Sequence, residues 1–331
     1  VERIALVVAG RRRAEVRPEL LATLTARQTS AGTPAAGNPL WLELALEAML
    51  LLDADDFARA EQLPGGTTED RLHALRLEMA RRLPGDVEVL YAGLLERTEE
   101  VHGQRAAREF ANLIAASRTG WRESDLRALL PARTGEPWDE LRFAALRRGF
   151  RAHLVQRGAQ EQWEFAHAQM REAVRTRDLP NPAVERELHA AIADHLQALP
   201  PEDALRQTGL MHHLLRNGDL PRTARYYASG LGAGELEGAT RALAAEIVER
   251  AVGGPGEAGE CARALLGGVG SSSVELGMLC HRFVSDLSDA LENTALLVTG
   301  LEVQQAAAAV LKDLVFSDPE NALWQRDLWV C

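Results

Sequence analysis

Lysine is almost missing from this chain: of its 37 basic Lys and Arg residues only Lys312 is a lysine. A phosphate-gripping loop of the form Gly-x-x-x-x-Gly-Lys-Ser/Thr needs that residue, because backbone N–H groups cradle the phosphates while the lysine reaches the outer ones. Lys312 instead follows Val310 and Leu311 in an alanine-rich stretch. An apolar strand ending in paired acids, the usual companion of such a loop, is missing too, which excludes a phosphate-cleaving centre of that type. Cysteine is also scarce. Cys261, Cys280 and Cys331 are odd in number and lack metal-ligand spacing, which excludes a disulfide framework and points to a reduced, cytoplasmic setting. No apolar run is long enough to span a membrane, and no basic start leads into an apolar leader, so neither insertion nor secretion is expected. The net charge of −11 argues against general affinity for nucleic acid or an anionic lipid surface.

Common catalytic arrangements are absent as well. There is no Gly-x-Ser-x-Gly elbow, and Ser271, Ser272 and Ser273 sit in a glycine-rich linker. His212 and His213 have no Cys or acidic partners at zinc-ligand spacing. The acid pairs Asp55-Asp56 and Glu99-Glu100 read as solvated helix ends. Catalysis is therefore not expected within these residues.

What is present is helical. A chain of 331 residues, 46% hydrophobic and 26% charged, has the composition of an ordinary globular protein of roughly two to four domains. Apolar residues recur at helical spacing nearly throughout. Short helices are predicted over 1–9, where Ile4 to Val8 would also pass for a buried strand, and over 18–27. Asn38 as cap and Pro39 at the first helical position open an apolar helix running to Leu52, which Asp53 to Asp56 should end. Further helices are predicted over 67–83, 86–102 (closed by Gly103) and 104–117. Ser124 to Leu130 should form a short one before Pro131. Pro137 to Phe150 follows, with Leu141, Ala144, Ala145 and Phe150 offered to the core.

One strand pair stands out: Ala152 to Gln156 and Gln162 to Ala166 around a turn at Arg157-Gly158-Ala159-Gln160, with Trp163, Phe165 and His167 alternating onto one side. A closing helix begins at Met170. Beyond Pro182 helices come in pairs, over 183–199, 204–217, 220–229 and 235–251, with breaks expected at 253–256 and 267–273. Ala306 to Ala309 permit close helix approach, Pro319 ends that helix, and Trp324 and Leu328 belong to the next. Paired helices without intervening strands bury their apolar faces by stacking, so a solenoid with the character of tetratricopeptide (TPR) repeats is expected.

Four runs carry a likeness: Gly37-Asn38-Pro39-Leu40-Trp41-Leu42; Val89-Leu90-Tyr91-Ala92-Gly93-Leu94-Leu95-Glu96 up to Gly103; Ala115-Ala116-Ser117-Arg118-Thr119-Gly120-Trp121-Arg122-Glu123-Ser124-Asp125-Leu126; and Phe165-Ala166-His167 through Glu172-Ala173-Val174. In order and spacing they resemble the C-terminal half of a NACHT-type STAND NTPase, over roughly residues 1 to 230. The resemblance implies a mainly α fold: a helical lid at 1–84, a winged helix domain with its short β-hairpin at 85–180, and a TPR-like α-solenoid at 181–331. In that family the lid and winged helix close over ADP held by a P-loop domain. The proline of a Gly-x-Pro motif packs near the base and a winged-helix histidine touches the β-phosphate; by motif these roles fall to Pro39 and His167. The implied cofactor is ATP/ADP, bound through a parent protein of which this chain is a fragment. The implied partners are an upstream P-loop domain, a protein or peptide ligand of the repeats, and further copies in a nucleotide-dependent homo-oligomer, with neither membrane nor nucleic acid among them.

Two other readings stay open. A winged helix is a common DNA reader, and Arg118 to Arg157 carries nine Arg against five acidic residues. Against this, the candidate recognition helix starts with Trp138, Asp139 and Glu140, which suit a helix N-terminus but would repel phosphate. The third reading is an interaction scaffold whose repeats bind a protein without any nucleotide role.

Overall fold

The computed structural model describes residues 16–331 apart from 51, 53, 152, 253, 255, 271 and 293–296. The predicted element over 1–9 lies outside the described residues. Those described are mainly helical, with a single two-stranded antiparallel sheet. The chain divides into two compact units. One contains the residues up to Ala111, Asp139–Val155 and Phe165–Asp178; the other contains Asn112–Trp138, Gln156–Glu164 and Leu179–Cys331.

The first unit begins with α1 (Pro18–Thr25), whose Leu20 and Leu24 are one turn apart and buried. α2 (Pro39–Leu50) opens where Asn38 Oδ1 accepts from the Leu40 N–H at 3.0 Å. Trp41, Leu42, Ala45, Leu46 and Met49 are fully buried along it, and the Trp41 indole donates to the Pro84 carbonyl at 2.9 Å. The acids expected to end this helix instead begin another, α3 (Ala54–Glu61). Asp55 and Asp56 lie in its first turn, where the helix dipole favours negative charge. α3 packs on α4 (Thr68–Arg82) through Ala60, Leu72 and Leu75. Thr67 caps α4 by accepting from the Asp70 N–H at 3.2 Å. α5 (Val87–His102) stops at Gly103, whose φ is 91°.

α6 (Gln104–Ala116) and α7 (Glu123–Thr134) follow. α7 runs through Pro131 rather than stopping before it: buried Leu126, Leu129, Leu130 and Thr134 anchor both sides. Its last turn is closed by Thr134 Oγ1 donating to Leu130 O and the Gly135 N–H donating to Pro131 O, both at 2.8 Å. α8 (Glu140–Gly149) starts three residues later than expected, because Asp139 is its cap, accepting from Leu141 N at 2.8 Å and Arg142 N at 3.1 Å. Its buried face is Phe143, Leu146 and Phe150; Leu141, expected inside, is 82% exposed, and Ala144 is exposed as well.

The hairpin pairs β1 (Leu154–Arg157) with β2 (Gln162–Phe165), and Gly158 in its turn has φ 71°. The Trp163 backbone also forms a two-way bridge with Trp121, N to O at 2.8 and 3.1 Å. Gly120, at φ 85°, makes that bridge possible: a Cβ there would lie 2.6 Å from the Trp163 carbonyl oxygen. α9 (Ala168–Asp178) follows β2 directly.

Beyond it run α10 (Pro182–Ala198), α11 (Ala204–Asn217), α12 (Leu220–Ala228) and α13 (Ala233–Ala251). α14 (Glu257–Gly268) and α15 (Ser273–Arg282) follow; a π-helical turn, Phe283–Leu287, joins α15 to α16 (Ser288–Glu292), and α17 (Leu297–Ser317) and α18 (Ala322–Val330) come last. Side chains of Asn181, Asp203, Asp219 and Asn321 cap four of these helices. Each helix shares neighbours on both sides: α11 packs on α10 and α13, and α14 on α12, α13 and α17. The break expected at 267–273 begins later than expected. Gly267 and Gly268 are helical, and Gly268 serves close packing, since a Cβ on it would lie 2.9 Å from Leu220 O. Among the described residues no helix is long and apolar enough to cross a membrane.

Candidate functional site

In the first unit α5 is the common support: α2, α8 and α9 all pack on it. α9 is anchored by charge. Glu99 of α5, buried, receives Arg108 through two bonds at 3.2 and 3.0 Å and also binds Arg177 of α9. Arg177 in turn grips Asp178 at 2.8 and 3.0 Å. Such paired bonds suit the planar guanidinium fork and would not form with an ammonium.

Between α2, α5 and the C-terminal end of α8 lies a cavity of about 740 Å³. Leu44 and Ala48 of α2 and Leu90, Leu94 and Val101 of α5 give it apolar walls, while Glu47, Arg97, Arg148, Arg151, His102 and His153 supply polarity. His153, just before β1, is only 4% exposed. Its Nε2 lies 3.8 Å from Glu47 Oε2, beyond hydrogen-bond range, and its ring meets Tyr91 edge-on with centroids 5.5 Å apart. Burial pushes the His153 pKa down to about 4, with the nearby His167 adding to the effect. Tyr91 is fully buried and its hydroxyl meets no hydrogen-bond partner. Burial, then the charges of Glu43 and Glu47, push its pKa far up, so the phenol stays neutral.

The two residues singled out from the sequence both belong to this unit. Pro39 is exposed at the first position of α2. His167 is half-buried in the one-residue step between Ala166 and α9, its carbonyl accepting from Met170 N at 3.2 Å. Their helices meet on α5, but neither side chain lines the cavity. His167 is tied to the cavity through its neighbour: the Ala166 N–H donates to the His153 carbonyl at 2.8 Å.

The second unit holds two buried polar clusters that spacing did not reveal. Asp125 of α7, 1% exposed, takes Arg122 Nε at 2.7 Å and Nη2 at 3.0 Å, and His195 Nε2 of α10 at 2.9 Å. Arg122 also reaches Asp203 at 2.7 Å. Burial pushes the Asp125 carboxyl up, but the bonds from His195 and Arg122 outweigh it and hold the pKa below its usual value. Nearby on α11, His213 is buried with its Nδ1 2.8 Å from Nδ1 of His189. Burial, then the neighbouring His189, His212 and Arg118, push its pKa well below the usual histidine value. Among the described residues no group of three or more His, Cys, Asp or Glu side chains could hold a metal ion.

The basic stretch from Arg118 to Arg157 is largely engaged. Arg118 donates to Thr208 O, Arg122 holds two aspartates, and Arg127 pairs with Glu123 and covers the Trp138 ring. Arg157 pairs with Glu164 at 3.4 Å. Comparison with known proteins adds no name: neither a family model, nor a curated protein, nor a solved structure matches this chain.

Proposed function

We propose that this chain is the regulatory side of a STAND-type signalling ATPase, a helical lid (1–84) and winged helix (85–180) that close over ADP, followed by TPR-like repeats (181–331) that sense a protein partner. The observation that carries the reading is the order of helices, hairpin and helix in which His167 stands between β2 and α9, with α9 fixed to α5 by Glu99 and Arg177. An accessible imidazole at that step has the donor chemistry to meet a phosphate. The exposed Pro39 ring offers an apolar edge at a helix start. ADP, when bound, supplies the phosphates that His167 would read; this chain supplies their positioning and no bond-breaking step. The engaged arginines between 118 and 157 count against the DNA-reading alternative.

The reading makes the phosphate grip the property of another domain. Isothermal titration of this chain alone with ADP should give no binding, and addition of a lysine-bearing P-loop domain from the parent protein should create a site that retains it. Tight nucleotide binding by the chain alone would refute the assignment.

A further inference from the structure

From the cavity in the first unit we infer a binding site for an amphipathic small molecule, an apolar body with one hydrogen-bonding head, that seats its head on His153. The cavity's volume of about 740 Å³ is that of a small-molecule site. Leu44, Ala48, Leu90, Leu94 and Val101 line it with apolar surface. Its polar end is a side chain in need of a partner: His153 is buried, yet among the described residues its ring makes no hydrogen bond, Glu47 standing off at 3.8 Å. Buried polar groups are almost always hydrogen-bonded, so such a group facing a cavity marks where a ligand atom completes the bond. A neutral imidazole both donates and accepts, which suits an amide, amine or alcohol. The site stands apart from the nucleotide reading: neither Pro39 nor His167 lines it.

The test uses two fluorescent probes with one body. N-phenyl-1-naphthylamine is neutral; 8-anilinonaphthalene-1-sulfonate adds a sulfonate. The neutral probe should bind the whole chain saturably at one site, and the sulfonate should compete for that site. Ala48→Trp, which fills the cavity, should weaken the neutral probe by tenfold or more. His153→Leu, which keeps the apolar volume and removes the head's partner, should weaken it about fivefold. Should Ala48→Trp unfold by circular dichroism, Leu94→Trp on the facing wall obstructs the same space from a half-exposed position. Several outcomes overturn the inference: no saturable binding (a cavity holding water only), equal binding by wild type and folded variants, a sulfonate that does not compete, or displacement of the probe by ADP.

Discussion

Tyr91, His153 and His213 are buried side chains whose polar atoms set testable limits on stability. The Tyr91 hydroxyl is desolvated without a partner, so removing it relieves a penalty rather than breaking a bond. Tyr91→Phe should leave stability unchanged or raise it by about 1 kcal/mol in urea unfolding; a loss of that size would mean the hydroxyl is satisfied. His153 and His213 are held neutral by burial, with pKa values below that of the unfolded chain. The unfolded chain therefore takes up protons first as pH falls. Stability is full above about pH 6.5 and declines below it, and His153 alone accounts for about 3 kcal/mol by pH 4. Tm measured from pH 7.5 to 4.5 should fall steadily below 6.5, and the slope should be shallower in His153→Leu; identical slopes would contradict the burial argument. From the sequence His213 was weighed only as a metal ligand, Tyr91 appeared only within a motif run, and His153 was not singled out. Tyr91 and His153 become neighbours only through folding, and no local spacing links α5 to the segment before β1.

At the scale of elements, caps and close approaches decide the boundaries. α11 was legible to its ends because Asp203 precedes it and Gly218 follows at φ 79°. α4 and α5 were read as closely, from Thr67 and Gly103. α3 was hidden because its first-turn acids look like a terminator, and α14 because its glycines look like a linker when one of them lets a neighbouring backbone come close. Two substitutions test this scale. Asp125→Asn removes the charge that joins Arg122 and His195, and loss of one member of a buried ionic cluster should cost about 3 kcal/mol in denaturant unfolding. A cost under 1 kcal/mol would show that α7 and α10 are held by apolar packing alone. Gly120→Ala places a Cβ 2.6 Å from the Trp163 carbonyl at a left-handed φ, and should lower stability by about 2 kcal/mol or more. Unchanged amide exchange at Trp121 and Trp163 in that variant would contradict the bridge as drawn.

For the molecule as a whole, the use of arginine in place of lysine carries structural weight. Arg122, Arg177 and Arg206 each make paired or branching bonds, and the buried Arg282 reaches the carbonyls of Tyr227 and Ser229 at the end of α12. The same scarcity of lysine leaves these residues without a phosphate-gripping loop, which is why the nucleotide role proposed for Pro39 and His167 is one of closure. The mainly helical architecture and its single hairpin were legible in apolar periodicity; the roles of Pro39 and His167 rested on resemblance, because a helix-opening proline and a histidine after a strand have no unique spacing. Such a switch needs contacts that differ between its two states, and His167 is the residue proposed to supply them. The most direct measurement is the release rate of fluorescently labelled ADP from the full-length parent, wild type against His167→Ala. The account predicts release at least tenfold faster in the variant at unchanged stability; an unchanged rate would contradict it.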